Sequence, residues 1–304
     1  FMHECRMLIA LSDEYPNYRQ RRHFPEILGF GSLKTLSFHC KRADDDYNEV
    51  KLNNPRPFFI MERLPMTLEE CRGLSRNKYV DPHLAIFLTI GAIKALRVLH
   101  EMGCVMREVS PARFSVRLPP SGLLNRYTSE ISDRVAVNCL TYATRYRGKR
   151  GVAESFVGNF RYSSPDALEN KKQMPKDDII SVLFIMLEFL LGSLPWEDYC
   201  KESARSENIR QKAVTMKSKD LTDKGVQIFQ GFSDLFKTLN EGSEDAIPAM
   251  PPYAKLYVLL QQQTQLTKAD VTVVGTHHAI KKNYVESSQE KIVVKTPTIE
   301  TKED

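Results

Sequence analysis

The sequence predicts a mixed α+β fold, in which one helix and a few strands precede a mainly helical second part. The hydrophobic fraction is 42% of 304 residues, which suits a globular chain able to bury a substantial core. Apolar residues recur at helical spacing over residues 82–102. Residues 179–191 form a nearly uninterrupted apolar run of 13 residues. A membrane span needs about 20 apolar residues, so this run predicts a buried core helix.

The elements follow in order along the chain. Residues 1–63 predict a helix and then strands, with a polar loop, CKRADDDYNEVKLNNPRP, before the last strand. Short strand-like segments and a basic irregular stretch occupy residues 114–162. Helices are predicted from residue 177 onward and over residues 225–240 and 252–262. From about residue 265 the composition predicts a mostly disordered tail, with a short strand near Ile292–Val294.

Composition excludes several classes of function. The net charge of +5 is spread along the chain without a block of like charges, which argues against nucleic-acid binding. The six cysteines contain no Cys-x-x-Cys pair, and the seven histidines suggest no metal site. No N-terminal signal pattern is visible. We therefore expect a protein of the cytoplasm or nucleus that binds neither nucleic acid nor membrane.

Several spaced motifs occur in a recognisable order. Residues 106–114 read MREVSPARF and follow the predicted helix of residues 82–102. Downstream come GNFRYSS at residues 158–164, then Asp177-Asp178 opening the apolar helix, and then GSLPW at residues 192–196. Together these blocks resemble the catalytic loop, activation segment and central helix of the casein kinase 1 and tau-tubulin kinase group of protein kinases.

The resemblance covers about residues 3–262 and implies a bilobal kinase-like fold. Residues 1–63 would form a partial N-lobe, residues 64–264 a mainly helical C-lobe and residues 265–304 the tail. Glu4 matches the glutamate that pairs with the β-strand lysine of the family. Met61 matches the gatekeeper, and Glu62 to Leu64 match the hinge that receives adenine.

The N-lobe that the resemblance implies is incomplete. No Gly-rich loop or Val-Ala-x-Lys strand precedes Glu4, and the chain opens on Phe1. We expect the sequence to be a fragment of a longer protein, and the alternative is a truncated domain.

The resemblance places altered residues at the chemical positions of the catalytic loop. A kinase loop carries an aspartate base, then a lysine that contacts the γ-phosphate, then an asparagine that holds Mg²⁺. The matching residues are Glu108, Ser110 and Arg113. Asn138 stands where the family has the metal-binding aspartate of Asp-Phe-Gly. Two unit charges 4 Å apart interact by about 4 kcal/mol at an effective dielectric near 20, so Arg113 would repel Mg²⁺. We expect no Mg²⁺ site, whereas ATP binding stays open.

Two of these residues allow alternative interpretations. Glu108 could act as a displaced general base, or it could be a solvated turn residue, which we favour. Arg113 could bind a nucleotide phosphate without metal, or it could pair with a local carboxylate.

Three further residues have positions that the resemblance explains. Asp178 would accept hydrogen bonds from the loop backbone near Met106 and Arg107, although a first-turn aspartate also simply suits the helix dipole. Arg161 matches an arginine that helps the family bind phosphorylated or acidic substrates. Arg107 is either a strut beneath the activation segment or a second anion-binding residue.

The sequence therefore predicts a kinase-like protein that is catalytically inactive, a pseudokinase, and that scaffolds or regulates an acidic or phosphorylated protein partner. The alternative is an atypical serine/threonine kinase that uses Glu108 as base and Asn138 as a weakened metal ligand. A third possibility is a structural domain whose cleft is filled by apolar side chains.

Overall fold

The computed structural model shows a mixed α+β chain with one large helical core. The residues that the structure describes are 2–14, 21–39, 47–74, 78–117, 129–146, 151–201, 207–220, 232–240 and 250–263. Within these ranges the helices are α1 (Met2–Glu14), α2 (Leu68–Gly73), α3 (Pro82–Glu101), α4 (Pro165–Leu168), α5 (Pro175–Leu191), α6 (Glu197–Lys201), α7 (Glu207–Thr215), α8 (Phe232–Asn240) and α9 (Tyr253–Gln262). The strands are β1 (Ile27–His39), β2 (Tyr47–Met61), β3 (Met66–Thr67), β4 (Cys104–Val105), β5 (Phe114–Val116), β6 (Val135–Val137) and β7 (Thr144–Arg145).

The strands form three small antiparallel sheets. β1 pairs with β2 in a long hairpin that places Phe30 opposite Phe59. β5 lies between β3 and β6, and β4 pairs with β7. The hairpin was predicted, but its loop was predicted too long, because residues 47–57 belong to β2. Backbone pairing with β1 overrides the turn preference of the Asn and Pro residues there.

Helices α3 and α5 form the centre of the core, and both were predicted. α3 begins at Pro82, with the side chain of Asp81 accepting a hydrogen bond from the Leu84 backbone N–H at 3.2 Å. α5 is buried along nearly its whole length, as the apolar run indicated. It ends at Gly192, whose φ of +79° is the left-handed conformation that glycine adopts most readily.

α3 alone is long and apolar enough, among the described helices, to cross a membrane. Buried residues make up 72% of its most apolar window. That burial fits the core helix of a globular domain.

Later helices fall close to the predicted ranges. α8 begins at Phe232, and residues 221–231 lie outside the described residues. α9 matches the prediction for residues 252–262 to within a residue. The predicted tail and its strand near Ile292–Val294 lie outside the described residues.

Gly91 allows α3 to approach the turn before β6. A Cβ at this position would lie 2.5 Å from Cγ2 of Val135 and 2.7 Å from the backbone oxygen of Ser132. Real Cβ atoms do not come so close, so the helix and the turn would have to separate.

Asp178 ties the helical core to the loop that follows β4. Its buried carboxylate, on the first turn of α5, accepts hydrogen bonds from the backbone N–H groups of Met106 at 2.6 Å and Arg107 at 2.9 Å. Nε2 of His100, on α3, lies 2.9 Å from the same carboxylate. Nδ1 of His100 is hydrogen-bonded to the Tyr253 hydroxyl of α9. One carboxylate therefore joins the loop to three helices.

Replacement of Gly91 by alanine is expected to lower the free energy of unfolding by about 1–3 kcal/mol through overpacking. Helix propensity alone would raise the free energy of unfolding by about 1 kcal/mol. The sign of the measured change therefore shows whether overpacking or helix propensity dominates. Urea unfolding of the full chain measures the change. Gly73→Ala, in the last position of α2 with open space around the new methyl group, is the control and should not lower the free energy of unfolding. Equal results for the two variants would contradict the packing argument.

Replacement of Asp178 by asparagine is expected to lower the free energy of unfolding by about 3 kcal/mol or more. The amide cannot accept hydrogen bonds on both sides, so a buried N–H group loses its partner. Asp234→Asn, at an exposed position on α8, should change stability by less than about 0.5 kcal/mol. The same unfolding experiment compares the two variants. A loss at Asp178 as small as that at Asp234 would show that this carboxylate does not organise the loop.

Candidate active site

The candidate site is the loop of residues 106–113, which runs from β4 to β5. Arg107 has a φ of +67°, an uncommon conformation for a residue with a side chain. The two backbone hydrogen bonds to Asp178 hold the chain at this point. The structure thus places Asp178 where its carboxylate meets the loop backbone.

Glu108 and Arg113 form an ion pair across the loop. One guanidinium nitrogen of Arg113 donates to both carboxylate oxygens of Glu108, at 2.7 and 2.8 Å. The Glu108 side chain is 21% exposed and that of Arg113 is 31% exposed. The hydrogen bond to Glu108 raises the pKa of Arg113 above its usual value. Glu108 is therefore not the solvated turn residue that we favoured, and Arg113 pairs with a local carboxylate.

Ser110 is buried at the start of a 3-10 turn, Pro111–Arg113. Its backbone oxygen accepts a hydrogen bond from the Arg113 N–H at 2.9 Å. The turn follows Glu108 in the chain and ends at Arg113, the other member of the ion pair. A serine at this position supplies a hydroxyl but no positive charge for a phosphate.

Asn138 holds the loop through its side chain. Nδ2 donates to the Ala112 backbone oxygen at 3.0 Å and to the Ser115 hydroxyl at 2.9 Å. The Asn138 backbone N–H donates to the Arg113 carbonyl at 3.0 Å. Through these contacts the uncharged side chain of Asn138 holds the loop against the chain after β6.

The arrangement does not fit a magnesium site. A cation stands at one expected ligand position and a neutral amide at the other. Among the described residues, no three His, Cys, Asp or Glu side chains are grouped so that they could hold a metal. The Glu108 carboxylate, which could otherwise have bound a metal, is already in an ion pair with Arg113.

Glu4 joins α1 to the chain that follows Asn138. Its carboxylate accepts hydrogen bonds from the Leu140 N–H at 2.7 Å and the Thr141 hydroxyl at 3.1 Å. Nε2 of His3 lies 2.5 Å from the Ala143 backbone oxygen. Glu4 thus contacts backbone and hydroxyl groups instead of a lysine.

The predicted hinge residues lie at the end of β2 and just after it. Met61 and Leu64 are half-buried, and Met61 packs against the main core. Glu62 accepts hydrogen bonds from Arg117 at 2.6 and 2.8 Å, and this contact lowers the pKa of the carboxyl group. The Glu62 backbone N–H donates to the Glu26 carbonyl at 2.8 Å. The predicted hinge residues are thereby fastened to the residue before β1 and to the residue after β5.

The two predicted anion-binding arginines both have partners inside the protein. Nε of Arg107 donates to the Tyr142 backbone oxygen at 2.7 Å, as expected for a strut. Arg161 is ion-paired with Glu188, and it also contacts Glu197 at 3.1 Å. Burial would lower the pKa of Arg161, but the charge of Glu188 and the hydrogen bonds to both carboxylates raise it. Arg161 is therefore not an open anion site, because internal carboxylates balance its charge.

Sequence reasoning missed the importance of Glu188. This fully buried carboxylate on α5 also accepts a hydrogen bond from Arg72 at 2.7 Å and one from the Tyr162 hydroxyl. A lone glutamate inside an apolar helix is the signal that could have revealed it, because a buried charge requires partners.

The chain is similar to several known proteins, among them two distant relatives that are named as kinases. A probable serine/threonine-protein kinase of Dictyostelium discoideum is 27% identical over 188 residues, which cover 62% of this chain and 37% of the relative. A putative casein kinase I of Caenorhabditis elegans is 29% identical over 150 residues, which cover 47% of this chain and 41% of the relative. No family model matches the sequence. The chain spans about two fifths of the length of these curated relatives. At this distance, the similarities support a protein kinase-like domain in the chain.

Proposed function

We propose that this chain forms a bilobal kinase-like domain of the casein kinase 1 and tau-tubulin kinase group that is catalytically inactive. In this proposal it scaffolds or regulates a protein partner in the cytoplasm or nucleus, and it acts on neither nucleic acid nor membrane. The Glu108–Arg113 ion pair is the observation that carries the proposal.

Phosphoryl transfer needs a free base, a cation at the γ-phosphate and ligands for Mg²⁺. Both oxygens of Glu108 are occupied by Arg113, so the base position is neutralised. Ser110 supplies no charge, and Asn138 is neutral and bonded to the loop. In this proposal the loop therefore lacks each of these chemical requirements.

The alternative function is an atypical serine/threonine kinase in which Glu108 acts as base. One observation favours it, namely the partial exposure of the ion pair. Both side chains keep some contact with water, which would partly compensate Arg113 and Glu108 if they separated. Glu108 would then be a free carboxylate, but the guanidinium would still lie near the metal position.

The partner class that we propose is an acidic or phosphorylated segment. Arg161 faces two carboxylates of unequal burial, since the Glu188 side chain is fully buried and that of Glu197 is 31% exposed. An external anion would therefore displace Glu197 while Glu188 stays in place. This exchange would let Arg161 contribute to binding without losing its internal partner.

We expect the full chain to transfer no phosphate from labelled ATP to casein or to itself, with either Mg²⁺ or Mn²⁺. Glu108→Gln removes the only carboxylate at the base position, so its signal defines the background. Arg113→Asn should also stay at background, because Ser110 and Asn138 are unchanged. Transfer by the wild-type chain that disappears in Glu108→Gln would instead establish the atypical kinase.

Any affinity for ATP is expected to be independent of Mg²⁺. Thermal shifts with ATP in EDTA and with ATP plus Mg²⁺ should agree, because the metal lacks its two ligands. In EDTA, Glu108→Gln should bind ATP several-fold more tightly than the wild type, because it frees Arg113 for a phosphate. Glu101→Gln, which alters the partner of Arg97 on α3, is the control. A tenfold gain in wild-type affinity on adding Mg²⁺ would contradict the loss of the metal site.

A further inference from the structure

Lys217 is a fully buried lysine on the π-helical turn Met216–Asp220, which follows α7. Its side-chain nitrogen donates hydrogen bonds to the backbone oxygens of Phe160 at 2.6 Å and Ser163 at 2.8 Å. These two residues lie on either side of Arg161 in the chain. Lys217 therefore ties the backbone that carries Arg161 to the helical core.

Trp196 holds the same stretch of backbone. Its Nε1–H donates to the Arg161 backbone oxygen at 2.7 Å, and its ring centroid lies 5.2 Å from the Lys217 nitrogen. The ring centroids of Phe184 and Phe160 lie 5.4 and 5.5 Å from that nitrogen. Three backbone oxygens of residues 160–163 thus accept hydrogen bonds from core side chains, and Lys217 supplies two of the three donors.

The position of Lys217 is costly unless its hydrogen bonds matter. Within the described part of the chain it forms no ion pair with a carboxylate, and a buried amine without one costs free energy that an apolar side chain would not. Burial lowers the pKa of Lys217, whereas the carbonyls and the ring faces favour its charged form. A neutral amine and an ammonium group both have the two N–H donors that the carbonyls require. The contact with residues 160–163 therefore does not depend on the protonation state.

The fixed backbone determines where the Arg161 guanidinium lies. One nitrogen of this group, Nη2, meets both Glu188 and Glu197, and the side chain is 21% exposed. Among the described residues, Nε and Nη1 of Arg161 have no hydrogen-bond partner. A planar guanidinium binds carboxylate or phosphate oxygens in pairs only when it is correctly oriented. A shift of the backbone would therefore change which anions Arg161 can reach.

We propose that Lys217 is a positioning residue for partner binding: it holds residues 160–163 so that the Arg161 guanidinium can bind an anionic group of the partner. Lys217 does not touch that anion, because its nitrogen faces backbone oxygens inside the core. This inference rests on the proposed function, in which Arg161 binds an acidic or phosphorylated segment after Glu197 is displaced.

A binding experiment with a fluorescent synthetic peptide, one phosphoserine among glutamates, tests the inference. Fluorescence anisotropy at a single pH compares the full wild-type chain, Lys217→Met, Arg161→Gln and the double variant, each first shown to be folded by urea unfolding. Arg161→Gln should bind the peptide about tenfold more weakly than the wild type. Lys217→Met keeps a long side chain but no N–H donor, and it should bind about fivefold more weakly. The same peptide without phosphate shows whether the bound anion is a phosphate or a carboxylate.

The double variant separates positioning from a general loss of stability. If Lys217 acts through Arg161, Lys217→Met should cause no further loss of affinity in the Arg161→Gln background. A loss by the same factor in both backgrounds would overturn the inference. So would an unchanged affinity of the single variant Lys217→Met, even if Arg161→Gln weakens binding as expected.

Failure of the proposed function would give a different result. A wild-type chain that does not bind the peptide, or binds it no better than Arg161→Gln, would exclude Arg161 as the anion site and this inference with it. Lys217→Gln replaces Lys217→Met if the latter does not fold. Its shorter side chain keeps N–H donors, so we expect about threefold weaker binding, again only while Arg161 is present.

Discussion

The loop of residues 106–113 depends on the buried carboxylate of Asp178. It accepts two backbone hydrogen bonds from the loop and one hydrogen bond from His100. An ionised carboxylate only accepts hydrogen bonds, so Nε2 of His100 carries the proton. In a neutral ring Nδ1 then accepts from the hydroxyl of Tyr253, and burial raises the pKa of that hydroxyl. This chain of hydrogen bonds fixes α9, α3, α5 and the loop relative to one another.

The residues that shape the loop are separate from those that would do its chemistry. Asp178 fixes the backbone, whereas Glu108, Ser110 and Arg113 occupy the positions to which the kinase resemblance assigns the chemistry. The hydrogen bonds to Asp178 come from backbone N–H groups of the loop. Substitutions at Glu108, Ser110 or Arg113 can therefore leave these bonds intact, provided that any new charge finds a partner. Arg113 brings a cation into the loop, and Glu108 neutralises it. The same contact that makes this arginine acceptable also occupies the carboxylate that catalysis would need.

Local patterns in the sequence predicted the main helices because their evidence is local. The spacing of apolar residues sufficed for α3, and the apolar run sufficed for α5. The start of β2 was misjudged, because its pairing with β1 is not visible in the composition of residues 47–57. The resemblance predicted the contact of Asp178 with the distant backbone of Met106 and Arg107, but it did not predict the partners of Glu4. Glu4 and Leu140 are 136 positions apart, and only the fold brings them into contact.

Buried charged residues are a second case in which the sequence did not reveal the partners. Glu188 and Lys217 lie among apolar side chains, and each must exchange water for polar partners. Glu188 takes two guanidinium groups and a hydroxyl, whereas Lys217 takes two carbonyls and three ring faces. Each of the two groups has partners within residues 159–163, so this segment is held from two sides. Glu188 therefore already balances the charge of Arg161, and an acidic partner of the kind proposed would have to displace Glu197, the more exposed of the two carboxylates.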